Sequence, residues 1–107
     1  MASKRLTNLY LRYNKKYFDN RLPQDVEVDW KDMSESSAIG CNATYEDSFV
    51  AHSIYIDSTI KEYTTIVKLT LLHEMCHVGL YPYSKHGKRF DEEMLRLAMR
   101  GAFKGLW

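Results

Sequence analysis

The chain has 107 residues, of which 45% are hydrophobic and 27% are charged, so it suits one folded domain over residues 1–107 and excludes general disorder. A net charge of +1 does not by itself indicate nucleic-acid binding, and two cysteines cannot form a disulfide framework. No apolar run reaches the roughly 18 residues of a membrane helix, so we expect no membrane partner.

The N-terminal segment predicts an amphipathic helix over about residues 4–19. Its apolar side chains recur at steps of three and four, which describes one face of a helix, and Asn20 and Pro23 end the pattern. The charged residues before this pattern leave no apolar core of a signal peptide, so we expect a cytoplasmic protein. The predicted face consists of Leu6, Leu9, Tyr10, Tyr13, Tyr17 and Phe18.

Three strands are predicted next. Val26, Val28 and Trp30 alternate with acidic residues, which is typical of a half-buried strand. Residues 37–45 and 49–56 predict two more strands, joined by a turn at residues 46–48. The second of these is rich in side chains that favour β structure.

Two helices complete the predicted order α-β-β-β-α-α. Residues 59–62 have the form of a capping box, which predicts that a long helix begins there. This helix is apolar around most of its girth, as expected of one that runs through the centre of a domain. After a loop at residues 81–87, a last helix is expected from about residue 88 to residue 103. Its apolar side consists of Phe90, Met94, Leu97, Ala98 and Gly101.

The predicted fold class is therefore α+β, with a small antiparallel or mixed sheet packed on the long central helix.

The central helix contains the sequence His-Glu-Met-Cys-His at residues 73–77, an H-E-x-x-H motif. Residues i and i+4 lie one above the other on a helix, so His73 and His77 can reach the same ion. Two imidazoles suit zinc. Glu74 lies about 100° around the helix from His73, where a general base for water activated by the metal is expected.

Tetrahedral zinc in a catalytic site needs a third protein ligand. The metzincin pattern would place Gly at 80 and His at 83, but those positions hold Leu80 and Tyr83. His86, just before the last helix, is our predicted third ligand, and His52 is predicted to be a surface residue. The alternative third ligand is a carboxylate in the first turn of the last helix, from Asp91, Glu92 or Glu93.

Three further side chains lie beside these candidates. Cys76 is adjacent to His77 but faces away from His73, so it is interpreted as a small buried thiol and not as a ligand. Tyr81 and Tyr83 lie in the loop before His86. One of them could stabilise an oxyanion, although packing is the other interpretation of both.

Three segments resemble the SprT-like metallopeptidases, the family that includes the Spartan proteases. Residues 9–23 are similar to the family's first helix, with its Leu-x-x-x-Tyr and Tyr-Phe-x-x-x-Leu-Pro features. Residues 54–56 and 71–77 are similar to its strand and active-site helix. Residues 86–90 are similar to its His-Gly-x-x-Phe segment, whose histidine is the third zinc ligand. The resemblance implies a minimal, zincin-like catalytic domain that holds Zn²⁺ through His73, His77 and His86.

This resemblance implies a zinc-dependent endopeptidase that cleaves proteins, including proteins crosslinked to DNA. Glu74 is expected to be the general base, and the strand at 49–56 is expected to bind a protein or peptide substrate by strand addition. The spacing from His77 to His86 is shorter than expected for the family, and no Cys-x-x-Cys pair follows, so we expect no zinc ribbon of the kind found in many bacterial relatives.

The charge distribution leaves a second hypothesis open. Residues 1–22 carry a net charge of +5, residues 23–57 a net charge of −7 and residues 58–107 a net charge of +3. Ordinary solvated faces explain this pattern, but the basic ends could also contact DNA. The alternative function is therefore a metal-stabilised module that binds nucleic acid or another protein and has no protease activity.

Overall fold

The computed structural model describes residues 3–33, 40–44, 52–80 and 87–106, with only the backbone described for residues 41–44 and 52. The fold is α+β, and the described helices and strands follow the predicted order α-β-β-β-α-α. They are α1 (Lys4–Tyr17), β1 (Glu27–Lys31), β2 (Gly40–Thr44), β3 (His52–Asp57), α2 (Thr64–Gly79) and α3 (Lys88–Met99), with one 3₁₀ turn at Ser58–Ile60 between β3 and α2.

The three strands form one mixed sheet in the order β1-β3-β2. β1 pairs with β3 in parallel, with Val28 opposite Ile54. β2 pairs with β3 in the antiparallel sense, with Gly40 opposite Ile56. A wholly antiparallel sheet, the other arrangement that the sequence left open, is therefore wrong. The predicted turn at residues 46–48 lies outside the described residues.

The central position of β3 corrects the expectation that this strand binds substrate. Both edges of β3 are paired, one with β1 and the other with β2, so its backbone groups are already used within the sheet. Strand addition needs an unpaired edge. The outer edge of β1 is met by the N-terminal segment, because the Ser3 amide donates to the Val28 carbonyl at 2.9 Å. Among the described residues, no backbone hydrogen bond joins the outer edge of β2.

Helix α1 buries the predicted apolar face against the sheet and α2. All six of its predicted apolar residues, Leu6 to Phe18, are buried, which confirms the assignment. Ser3 caps the helix, since its Oγ accepts from the Leu6 amide at 3.3 Å. The helix ends at Tyr17, two residues earlier than predicted, and Asp19 and Asn20 take positive φ angles of 53° and 60°. Asn and Asp tolerate this conformation better than most residues, so they turn the chain toward β1.

Helix α2 begins later than the capping box predicted. Thr59 lies inside the 3₁₀ turn, where the Asp57 carboxylate accepts from its amide at 3.0 Å. The helix starts at Thr64, and its N-cap residue Tyr63 makes no side-chain capping bond. The buried side chains of α2 lie on almost every side, as expected for the central helix. They are Val67, Thr70, Leu71, Leu72, Glu74, Met75, Cys76, His77 and Val78.

Helix α3 ends at Met99, before the predicted limit at residue 103. Gly101 has a φ of +83°, the left-handed conformation that ends many helices. Phe90 and Leu97 are buried on the predicted side, whereas Ala98 is exposed, so the inclusion of Ala98 in the apolar side was wrong. No helix in the part of the chain that the structure describes is long and apolar enough to span a membrane.

Candidate metal centre

The C-terminal half of α2 brings two imidazoles together. The Nε2 atoms of His73 and His77 lie 3.3 Å apart, and the ring centroids are 5.0 Å apart. This proximity follows from the helix itself, since side chains four residues apart lie on the same face. The H-E-x-x-H motif therefore lies on a helix, as the sequence predicted.

The spacing of the two nitrogens fits a tetrahedral metal ion. Nitrogen ligands lie about 2.0–2.1 Å from zinc, which places two of them about 3.3–3.4 Å apart in a tetrahedral site. The observed Nε2 separation of 3.3 Å matches this value. Among the described residues, His73, Glu74 and His77 form the one group whose ligand atoms all lie within 4.8 Å of one another. The donor set thus suits a divalent ion that binds imidazole.

Glu74 is buried beside the two histidines, with 5% of its surface exposed. Burial raises the pKa of Glu74 from an ordinary value of 4.5 to about 7, because removal from water disfavours the charged carboxylate. A pKa near neutrality is the property of a group that takes up and releases protons at physiological pH. Glu74 is therefore a buried carboxyl group beside the two imidazoles, with a pKa that lets it exchange a proton near neutral pH.

Phe90 of α3 forms one wall of the metal centre. Its ring stacks on His77 at a centroid distance of 4.8 Å and an interplanar angle of 27°. It meets His73 edge-on at 4.9 Å. The apolar pattern of α3 predicts that Phe90 is buried but not this double contact, which depends on how α3 packs against α2.

Gly40 was also missed by the sequence analysis. A Cβ atom built at this position of β2 would lie 2.6 Å from the Thr70 methyl carbon and 3.4 Å from Cγ of Glu74. The backbone of β2 therefore lies directly against the turn of α2 that carries Glu74. The packing of β2 against α2 leaves no room for a side chain at this position.

The predicted third ligand, His86, lies outside the described residues, as do Tyr81 and Tyr83. Of the alternative ligands, Asp91 and Glu92 are exposed, and Glu93 forms an ion pair with Arg96. None of these three carboxylates belongs to the group of possible ligands found among the described residues. His52 lies in β3, and only its backbone is described.

Cys76 is a buried thiol, as predicted. It is fully buried in the core, and its Sγ lies 3.5 Å from Sδ of Met94 on α3. Burial raises the pKa of the Cys76 thiol to about 12. A thiol with this pKa stays protonated at neutral pH and is a poor metal ligand. The side of α2 that carries Cys76 therefore packs against α3.

Comparison with known families gives a direct assignment. The sequence model of the SprT-like family matches residues 6–104, nearly the whole chain. The chain belongs to the SprT-like family. This confirms the resemblance deduced from the three sequence segments. Members of the family are zinc metallopeptidase-like proteins, so the His73–Glu74–His77 group is the candidate metal centre of such a protein.

Proposed function

We propose that this protein is a zinc-dependent endopeptidase with a zincin-like fold. The observation that carries the proposal is the group on α2, where two imidazole nitrogens 3.3 Å apart lie next to a buried carboxylate. A purely structural zinc site does not require the carboxylate, whereas hydrolysis requires a base. Family membership over residues 6–104 supports the same activity.

His86 is the proposed third ligand, together with His73 and His77. It is bonded to Gly87, the N-cap residue of α3, and it precedes Phe90 by only four residues. Four residues span at most about 14 Å, and the Phe90 ring already contacts both imidazoles. This short chain distance from Phe90 supports the choice of His86 as the third ligand. When bound, the ion would polarise the scissile carbonyl and make a water molecule more acidic.

Glu74 is the proposed general base. Its carboxylate accepts a proton from the attacking water and passes this proton to the leaving amine. The raised pKa of about 7 suits both transfers, because a group with a pKa near the operating pH can both accept and release a proton. The low exposure of Glu74 keeps bulk water from competing for the proton.

The outer edge of β2 is the proposed substrate-binding edge. It replaces β3, which is central in the sheet. A peptide added to β2 would lie on the side of the sheet next to Glu74, because Gly40 of β2 contacts the Glu74 turn. Backbone hydrogen bonds to β2 would hold the substrate extended with little dependence on its sequence.

The test of this function is proteolysis by wild type and Glu74→Gln, measured with zinc content on the same samples. We expect the variant to keep the metal and lose about 10³-fold in kcat, since the amide keeps the shape and cannot accept the proton. Glu92→Gln is the matched control, because the Glu92 side chain is 64% exposed. An undiminished rate in Glu74→Gln would exclude the general-base role.

Replacement of the proposed third ligand tests whether a histidine or a carboxylate of α3 completes the metal site. We expect His86→Ala to weaken zinc binding by orders of magnitude, whereas Glu93→Gln should leave it unchanged because Glu93 is paired with Arg96. Zinc affinity from competition with a chelator is the measurement. The opposite result, metal lost only with Glu93, would replace His86 as the third ligand.

A second candidate function is contact with DNA, including protein crosslinked to DNA as substrate. The structure brings the ends of α1 and α3 together, since Arg100 donates to the Lys16 carbonyl at 3.0 Å and Arg96 donates to the Tyr17 carbonyl at 2.7 Å. The exposed basic residues at these two ends form a surface, the basic end, with Asp19 as the exposed acid beside them. The basic end consists of Lys15, Lys16, Arg21, Arg100 and Lys104.

Salt dependence tests this second function. Each phosphate contact contributes about 0.9 to the slope of log K against log salt for duplex DNA, so Lys15→Gln with Lys104→Gln should reduce the slope by up to about 2. Lys31→Gln with Lys61→Gln removes the same charge elsewhere and should not change the slope. DNA binding by Glu74→Gln, together with a wild type that cleaves no protein, would favour the binding module. No binding at low salt would exclude the DNA role.

A further inference from the structure

Gly40 lies where β2 packs against the turn of α2 that carries the candidate base. It is the first residue of β2 and lies opposite Ile56 of β3, which is fully buried. Cross-strand partners point to the same face of a sheet, so the missing side chain of Gly40 would point into the helix layer. There it would meet the turn of α2 that carries Thr70 and Glu74.

The glycine is required by space and not by backbone conformation. Among the described residues, the glycines with positive φ are Gly101 and Gly105, and Gly40 is not one of them. A Cβ at residue 40 would lie 2.6 Å from the Thr70 methyl carbon and 3.4 Å from Cγ of Glu74. Carbon atoms in contact prefer about 3.5–4.0 Å. An added methyl group would therefore need about 1 Å more space between β2 and α2.

Neither neighbour can easily yield this space. Thr70 is 6% exposed, so a change to the second rotamer that Thr adopts on a helix would have to fit into the packed interior. Glu74 is 5% exposed and moves only by changing the position of its own carboxylate. A side chain at residue 40 would thus be accommodated by displacing β2, by displacing Glu74, or by both.

We propose that Gly40 is a positioning residue, which sets the distance between the substrate-binding edge of β2 and the Glu74 carboxylate. The inference rests on the proposed endopeptidase function. A peptide held by β2 moves with that strand, and its scissile bond must meet a base fixed on α2. Displacements of about 1 Å in such geometry cost up to about 100-fold in rate. The outer edge of β2 keeps its own hydrogen-bonding groups, so peptide binding changes much less.

The experiment is a mutant cycle between Gly40→Ala and Thr70→Ser, with kcat and KM for a peptide substrate, zinc content and Tm measured for each protein. We expect Gly40→Ala to lower kcat by about 10- to 100-fold with KM within about threefold of wild type. Thr70→Ser removes the clashing methyl group, so the double variant should recover most of kcat. Thr70→Val keeps a methyl group at this position and should not restore kcat in Gly40→Ala.

Each result bears on the proposal. Wild-type kcat in a folded Gly40→Ala variant would overturn it, as would a loss of kcat that Thr70→Ser does not restore. If Gly40→Ala fails to fold, the double variant tests the proposal instead. It should fold and cleave at a rate within several-fold of that of Thr70→Ser. A double variant that folds but is inactive would overturn the proposal. No cleavage by the zinc-loaded wild type would instead refute the endopeptidase function and the inference with it.

Discussion

Asn14 on α1 and Glu74 on α2 are both buried polar side chains, but burial has opposite effects on their contributions to stability. Asn14 is fully buried. Its amide nitrogen donates to the Leu22 carbonyl at 3.0 Å, and its oxygen accepts from the Leu22 amide at 3.1 Å. Close by, the Tyr10 hydroxyl donates to the Pro23 carbonyl at 2.6 Å. These bonds hold the segment between α1 and β1.

Glu74 has a similarly low exposure, but burial raises its pKa to about 7. Its environment thus disfavours the charged form, which water would stabilise. The comparison shows that Asn14 is buried with its hydrogen bonds made and stabilises the fold, whereas the burial of Glu74 lowers stability at neutral pH. Such a cost is common at functional sites. Two changes test this contrast and a third tests the wall of the metal centre, beginning with the largest expected effect.

Asn14→Ala should destabilise the protein by about 3 kcal/mol. The substitution leaves the buried amide and carbonyl of Leu22 without their partner, and each such group costs about 1–3 kcal/mol. The measurement is the free energy of unfolding in urea. Asn8→Ala is the matched control, since Asn8 lies on the exposed side of the same helix and its replacement should change stability by less than about 0.5 kcal/mol. Equal effects of the two substitutions would show that the hydrogen bonds of Asn14 do not stabilise the fold.

Glu74→Gln should stabilise the metal-free protein by about 2 kcal/mol at pH 8. The folded pKa of about 7 lies above the ordinary 4.5, so the folded state binds the proton more tightly than the unfolded state. The stabilisation from this proton is complete below pH 4.5, falls as the pH rises and is lost above about pH 7. Unfolding of wild type and variant from pH 4 to pH 8 measures the difference.

The contrast fails if the stability of the metal-free wild type and that of Glu74→Gln change in parallel over this range. Glu92→Gln serves as control, because the Glu92 side chain is 64% exposed and its replacement should change the stability by less than about 0.5 kcal/mol.

Phe90→Leu should weaken zinc binding by about tenfold. The ring of Phe90 stacks on His77 and meets His73 edge-on, and each aromatic contact of this kind is worth about 0.5–1.5 kcal/mol. Without it both imidazoles lose a wall that restricts their orientation. Met94→Leu alters the same helix where it contacts Cys76 and should leave the zinc affinity unchanged. An equal loss in both variants would point to general loosening of α3.

Features that depend on neighbours along the chain were predicted correctly from the sequence. The buried face of α1 follows from apolar residues three and four apart. The pairing of His73 with His77 follows from the helical repeat, which places residues i and i+4 together in any helix. The predicted start of α2 was wrong, because Asp57 caps a 3₁₀ turn at Thr59. A local pattern cannot distinguish this cap from that of a longer helix.

The sequence by itself thus determined the α+β class, the order of the elements, the family and the H-E-x-x-H group, because short-range periodicity and motif spacing encode them. Only the tertiary structure decided that β3 is central and that, among the described strands, β1 and β2 flank it, since strand order depends on pairing between distant segments. It also decided that Gly40 lies against Glu74 and that Phe90 covers both imidazoles. These contacts arise from packing between elements, and no periodicity within one element records which residue of another it will meet.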